Sequence, residues 1–216
     1  MPPPEMTAKQ QEAYDKALRK IEDWQRVGKA EAVLNLSNLG LTTLPSALFQ
    51  LTALRQLSLS ENQLTTLPPE IGQLTKLREL YLQENQLTML PSEIGKLTAL
   101  TVLYLAGNRL TILPPELFQL TALQRLYLHV NQLTALPPEI GRLKRLYLLI
   151  LEDNALRELP ASLRKLAQMK MLTLNGNDAL GLPAEVLGPR WRDSGDRNLA
   201  PPQEILDYYF SHRLGA

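Results

Sequence analysis

The sequence has no cysteine, almost no net charge and no long apolar run. Without cysteine no disulfide can staple the fold, so a reducing, cytoplasmic location is favoured over secretion. The formal charge of +1 supplies no strong field for nucleic acid or for an anionic membrane surface. No stretch of about 18 apolar residues occurs and the first residues lack a signal-peptide pattern, so we expect neither a membrane-spanning nor an export segment.

Large aromatic residues are also scarce, with three Phe and two Trp among 216 residues. The chain is nevertheless 44% hydrophobic and 21% charged, a composition typical of a globular protein with a sizeable core. Because leucine supplies most of this apolar content, we expect a core built from one repeated aliphatic unit.

A 23-residue unit recurs seven times without a change of period. Its form is LxxLxLxxNxLxxLPxxIxxLxx; position 15 is proline in all seven copies and position 9 is asparagine in six. This pattern resembles the leucine-rich-repeat family, of the 23-residue bacterial and intracellular type. The resemblance implies an α/β fold, a right-handed solenoid with a parallel β-sheet on its concave face, short helical, 3-10 or extended convex segments, and terminal capping helices. The units are 31–53, 54–76, 77–99, 100–122, 123–145, 146–168 and 169–191.

The asparagine column follows the short alternating stretch that we expect to form each strand. The chain turns there, and a carboxamide can donate to and accept from buried backbone groups of adjacent coils. We therefore interpret the column as a structural ladder. The alternative, that these residues contact a ligand, would leave buried polar groups unpaired. The column consists of Asn62, Asn85, Asn108, Asn131, Asn154 and Asn177.

Glutamates follow the proline column in the central units, in what we expect to be the first turn of a short helix, where the helix dipole favours an anion. Such an acidic column could bind cations, but a solvated convex face explains it without a ligand. We assign no metal and no cofactor. The residues are Glu70, Glu93, Glu116 and Glu139.

Both ends of the array carry a segment that can cover the leucines of a terminal coil, as a solenoid requires. At the N-terminus, Thr7 and Gln10 form a capping-box pattern that predicts a helix over 8–27. At the other end, 188–200 is expected to be a polar loop and Pro202 to open a helix that either caps or links. The apolar faces are expected to be Tyr14, Leu18, Ile21 and Trp24 in the first helix, and Ile205, Leu206, Tyr209 and Phe210 in the second. We divide the chain into an N-terminal capping helix (1–30), seven repeats (31–191) and a C-terminal cap or linker helix (192–216).

The tail, LPAEVLGPRW followed by PPQEILDYYFSHR, resembles the segment that joins the repeats to the GTPase module in bacterial Roco proteins. In that family a phosphate-binding GxxxxGKS/T loop follows, and no such motif occurs in these 216 residues. The resemblance implies that any GTPase or kinase activity lies outside this chain. The repeats would then regulate a downstream GTPase domain in cis or pair with a second copy.

The outward-facing strand residues, at repeat positions 3, 5, 7 and 8, are expected to vary without damage to the core, so partner recognition is predicted there. Three tyrosines at position 5 of successive units should form one row, about 4.8 Å apart. Strand propensity could account for each tyrosine alone. However, Tyr and Arg are enriched at interface hot spots, and exposed apolar side chains mark contact surfaces. The predicted protein-binding residues are Tyr81, Tyr104, Tyr127, Val102, Arg125, Leu148, Ile150, His129 and Glu152.

A catalytic alternative starts from His129 and Glu152, neighbours in the position-7 column, which could form an acid–base pair near Tyr127. On an open, solvated surface such a pair lacks a nucleophile and a means of excluding water, so a surface ion pair is the simpler interpretation. We therefore predict that the chain is not an enzyme. Nucleic acid is disfavoured because carboxylates outnumber cations at the concave positions, and no membrane or small-molecule substrate is expected.

Overall fold

Seven three-residue strands form one parallel sheet in sequence order. The computed structural model describes residues 6–27, 32–194 and 199–213, without the side chains at positions 192, 194 and 213. Each strand pairs with the next at a separation of 23 residues, as Leu80 does with Leu103, so the repeat period sets the register. The strands are β1 Val33–Asn35, β2 Gln56–Ser58, β3 Glu79–Tyr81, β4 Val102–Tyr104, β5 Arg125–Tyr127, β6 Leu148–Ile150 and β7 Met171–Thr173.

Short 3-10 helices form the opposite, convex side of the coils. A proline in extended conformation precedes each of the first six, as Pro68 does with φ −72° and ψ 151°. The fixed φ of proline suits the residue before a helical turn, and this explains the proline column. The 3-10 helices are Ser46–Gln50, Pro69–Gln73, Ser92–Lys96, Pro115–Gln119, Pro138–Arg142, Ala161–Lys165 and Asp178–Leu180.

Leucines from every coil fill the space between the two sides as one continuous cluster. The inward residues of each strand region, such as Leu80 and Leu82, have no exposed surface. Successive coils bury the same columns against one another, because no single coil can bury its apolar face alone.

The asparagine column bonds each coil to the one before it. The Oδ1 atom of Asn108 accepts from the Leu87 N–H (3.0 Å), and its Nδ2 donates to the carbonyl oxygens of Leu82 and Leu105 (3.0 Å each). These backbone groups are buried and cannot bond to water, so the carboxamide supplies their hydrogen-bond partners. Equivalent bonds are made by Asn62, Asn85, Asn131, Asn154 and Asn177.

The distance between successive convex segments depends on the residue at position 19 of the repeat. Where it is glycine, the next coil lies so close that a Cβ would meet it, at 2.9 Å from the Glu93 carbonyl oxygen for Gly72 and 2.6 Å from that of Glu116 for Gly95. Where it is Phe49 or Phe118, the ring is buried and the next 3-10 helix packs less closely. The convex segments are therefore close together after a glycine and farther apart after a phenylalanine.

The N-terminal helix, α1 Ala8–Val27, covers the first coil. The capping box is present, since Thr7 N–H donates to Gln10 Oε1 (2.9 Å) and Gln10 N–H to Thr7 Oγ1 (3.3 Å). The expected apolar face is wrong in part: its centre is Ala13, Ala17 and Ile21, whereas Tyr14 and Leu18 are only half-buried. Two alanines let the helix axis approach the coil closely. The predicted boundary between residues 30 and 31 lies outside the described residues.

Three helices follow the last strand, α2 Ala184–Leu187, α3 Trp191–Ser194 and α4 Pro202–Arg213. Helix α4 buries Ile205, Leu206 and Tyr209 in the main core, and the Tyr209 hydroxyl accepts the Leu159 N–H (2.9 Å). These contacts are the ones expected of a cap, and the alternative role as a linker stays a prediction. The predicted polar loop over 188–200 is wrong in part, because it contains α3 and crosses the sheet.

Candidate binding face

The outer surface of the sheet, which we call the concave face, carries the predicted tyrosine row. Tyr104 and Tyr127 stack with ring centroids 4.0 Å apart and planes 10° apart, and Tyr81 lies 6.4 Å from Tyr104. All three side chains are half-buried. The parallel register produces the row because it places these residues directly opposite one another.

Charged residues at position 3 flank the tyrosines. The Tyr81 hydroxyl donates to Glu79 Oε2 (2.7 Å), and Arg125 Nε donates to the Tyr147 hydroxyl. Burial, with help from the Glu79 carboxylate, raises the pKa of Tyr81 to about 12 because both disfavour a phenolate. Tyr81 therefore stays neutral at physiological pH, with the carboxylate of Glu79 beside it.

Three predicted contact residues are not exposed. Val102 is 7% accessible, Leu148 3% and Ile150 0%, so the interpretation of these side chains as a solvent-facing apolar patch is wrong. The register explains Val102, which lies between the longer side chains of Glu79 and Arg125. These apolar residues lie on the same face as the tyrosines but are covered.

The chain itself covers one end of this face. Asn175 Nδ2 donates to the Gly188 carbonyl oxygen (3.1 Å), Arg190 forms an ion pair with Asp153 (2.7 Å), and the Trp191 N–H donates to Glu152 Oε1 (2.5 Å). Residues 188–191, which we call the covering segment, thus run back across the ends of β7 and β6.

The indole of Trp191 extends the cover as far as β5. Its ring lies 5.7 Å from Tyr127 and 5.5 Å from His129, between centroids. His129 in turn meets Tyr104 edge-on at 6.0 Å. The tyrosine row therefore ends under the indole, and the face divides into an open part over β1–β4 and a covered part over β5–β7.

His129 and Glu152 lie in the covered part. Glu152 has no accessible surface and His129 is 6% exposed, so the expectation of an open, solvated pair is wrong. Glu152 Oε1 accepts the Trp191 N–H, so this oxygen is engaged by the chain's own backbone. The sequence predicts a pair open to water, whereas burial excludes water from both side chains. The covering segment excludes a substrate from them as well.

Position 8 of the repeat carries a constraint that the pattern did not reveal. All seven residues there have positive φ, between 53° and 73°. Glycine adopts this left-handed conformation at no steric cost, and Asn or Asp at a small cost. The β-branched Val130 adopts it only with steric strain. Position 8 therefore varies in side chain, as expected, but its backbone conformation is constrained. Gly107 and Gly176 in this column were the available signal.

No group of three or more His, Asp or Glu side chains suited to a metal ion occurs within the described ranges. Among the same residues, no helix combines the length and apolarity needed to cross a bilayer.

Parallel three-residue strands, a buried asparagine column and proline-led convex turns define a leucine-rich solenoid. The family model described as "Leucine rich repeat" matches residues 32–87, 75–133 and 121–178, and the chain belongs to this family. Domains of this family generally mediate protein–protein interaction as non-enzymatic scaffolds. The comparison with curated proteins gives no significant match.

Two solved structures illustrate the similarity. A leucine-rich-repeat protein of Leptospira interrogans is 42% identical over 75% of this chain and 40% of its own, with a TM-score of 0.66. The ectodomain of the plant membrane receptor kinase GASSHO1/SCHENGEN3 from Arabidopsis thaliana, solved in complex with Casparian strip integrity factor 2, is 41% identical over 61% of this chain and 16% of its own, with a TM-score of 0.55. The chain thus spans less than half of either protein. Neither match extends the resemblance of the tail to Roco proteins.

Proposed function

We propose that this chain is a protein-interaction module that binds a protein partner on the open part of its concave face. The observation that carries the proposal is the row of half-buried, stacked tyrosines, in which Tyr81 and Tyr104 lie in the open part and Tyr127 lies at the border with the covered part. A rigid aromatic ring gives a large contact area at low entropic cost, and its hydroxyl can bond to a partner.

The charges beside the row add direction to this surface. Glu79 and the exposed Arg125 flank the tyrosines on one side. A rim of both signs favours one orientation of a partner over others. The buried residues Val102, Leu148 and Ile150 hold the row in place, and His129 and Glu152 lie beneath the covering segment.

The similar plant ectodomain, solved in complex with another molecule, supports a binding role for such repeats. The alternative, regulation in cis of a Roco-type GTPase module or pairing with a second copy, rests on the resemblance of the tail alone. A bacterial origin and a cytoplasmic location likewise stay predictions.

The first test is Tyr104→Ala, at the centre of the row. We expect it to weaken binding to a partner isolated with the wild-type chain by more than tenfold, because the substitution removes a central aromatic contact. Surface plasmon resonance with the purified partner would measure the change, with circular dichroism to confirm the fold.

A matched control is Met89→Ala, which removes a comparably large, 58% exposed side chain outside the strands. It should leave the affinity unchanged. Equal affinities for wild type and Tyr104→Ala would remove the concave-face proposal.

A further inference from the structure

The two segments that cover the C-terminal coils differ in chemistry. Helix α4 places Ile205, Leu206 and Tyr209 on leucines of the core, as expected of a permanent cap. The covering segment instead lies over a carboxylate, an imidazole and a hydroxyl, those of Glu152, His129 and Thr173, which are at most 6% exposed. Burial of such groups is favourable only when each finds a partner.

The fit over these polar groups is incomplete. Within the described part of the chain, Glu152 Oε2 and Thr173 Oγ1 are buried and have no hydrogen-bond partner. A buried polar atom without a partner costs about 1–3 kcal/mol, and more when it is charged. A ligand that donated hydrogen bonds to these two oxygens would therefore bind this site more favourably than the covering segment does.

The contacts of the segment show which ligand chemistry the site accepts. A guanidinium pairs with Asp153, an indole lies against Tyr127 and His129, and a backbone N–H bonds to Glu152. Two adjacent carboxylates favour a cation, and the tyrosine next to them favours an aromatic ring.

We propose that β5–β7 carry a binding site for a protein segment in which a basic residue precedes an aromatic one, and that Arg190 and Trp191 occupy this site until such a segment displaces them. This proposal rests on the proposed function in one respect, namely that the ligand is a protein. The partner's cation replaces that of Arg190 at Asp153, and its ring replaces the indole. Displacement uncovers Ile150, Glu152 and Thr173, and it extends the open face from four strands to seven.

Tethering determines how the site must be tested. A segment on a short linker has an effective concentration on the order of 1 mM at its own site, so a free peptide competes poorly with it. The full chain with Trp191→Ala removes the indole while keeping the α4 cap. The probe is a synthetic peptide of residues 188–193, GPRWRD, and its control is GPRARD.

Isothermal titration calorimetry should show saturable binding of GPRWRD to Trp191→Ala, at least tenfold tighter than to wild type and at least tenfold tighter than the binding of GPRARD. Adding Asp153→Asn to the Trp191→Ala chain should weaken the peptide at least tenfold, because the substitution removes the partner of its cation. If Trp191→Ala fails to fold, Arg190→Ala serves as the receptor, since it removes only a surface-accessible ion pair.

Two results would overturn the proposal. One is the absence of saturable binding, or equal binding of GPRWRD and GPRARD. The other is a wild-type dimer that Trp191→Ala abolishes, because a second copy would then be the occupant. Failure of the proposed function is separable, since that function is measured with Tyr104→Ala and the isolated partner, whereas the peptide site is measured with Trp191→Ala and GPRWRD.

Discussion

The open and covered parts of the concave face are built on the same scaffold and differ in what lies over it. In the open part, Tyr81 and Tyr104 are half-buried by their neighbours alone. In the covered part, the equivalent position-5 residues Ile150 and Thr173 have no exposed surface, and the covering segment bonds to Glu152, Asp153 and Asn175, which follow them along the chain. Identical coils therefore do not imply equal access, and a repeat surface must be judged with everything that crosses it.

The largest expected effect tests whether the scaffold is the same in both parts. Asn108→Ala in the open part and Asn131→Ala in the covered part each remove a carboxamide that bonds to four backbone groups. We expect each to lower the free energy of unfolding by about 2–4 kcal/mol, because the groups left behind are buried without partners. Urea denaturation would measure the loss.

Gln132→Ala, which removes an exposed carboxamide, should cost little. An unchanged unfolding midpoint for Asn108→Ala would refute the ladder. A much larger loss at Asn131 than at Asn108 would mean that the covering segment contributes to the scaffold.

A smaller, opposite effect is expected at the border between the parts. Val130 has a φ of 54°, where a β-branched side chain is strained, and the same column has Gly107 in the preceding unit. Val130→Asn should raise stability by about 0.5–1 kcal/mol, because asparagine tolerates the left-handed conformation. The shift in urea midpoint would measure it.

Val33 offers the matched control, since it is an exposed valine in strand β1. Val33→Asn should bring no gain in stability, and a gain there as large as at Val130 would show that backbone strain is not the cause.

The smallest effect concerns Tyr81 in the open part. Its pKa of about 12 is above the ordinary value of 10.0, first through burial and then through Glu79. Between these values an unfolded tyrosine loses its proton while Tyr81 keeps it, so this contribution to stability is full below pH 10 and declines as the pH rises through 12.

Titration of the Tyr81 ring carbon by NMR would give the pKa directly. Glu79→Gln should lower it while leaving it above 10, because burial remains. No change in Glu79→Gln would mean that the hydrogen bond between the two side chains does not form in solution.

The sequence was sufficient for the scaffold because each conserved column has a local cause. The asparagine and proline columns, the helix over Ala8–Val27 and the apolar residues of α4 could all be predicted from periodicity and residue type. The tyrosine row followed as well, because a fixed 23-residue register determines which side chains are neighbours.

The accessibility of the face could not be predicted in the same way. The accessibility depends on a contact between Trp191 and Glu152, which are 39 residues apart. The repeat pattern does not predict this contact. A tryptophan in an otherwise polar segment was the one available signal. The position-8 conformation could have been predicted in part, because four of the seven residues there, Asn38, Gly107, Asp153 and Gly176, tolerate a positive φ.

Whether repeat position 19 is glycine or phenylalanine affects the shape of the opposite face, which carries the sheet. Strand spacing is fixed by hydrogen bonding at about 4.8 Å, so any widening between convex segments bends the array toward the sheet. Phe49 and Phe118 act as wedges, and Gly72, Gly95 and Gly141 let the segments between them close up. The curvature of the proposed binding face thus depends on side chains on the opposite side of the coils, and exchanging either phenylalanine for glycine should change the shape of that face.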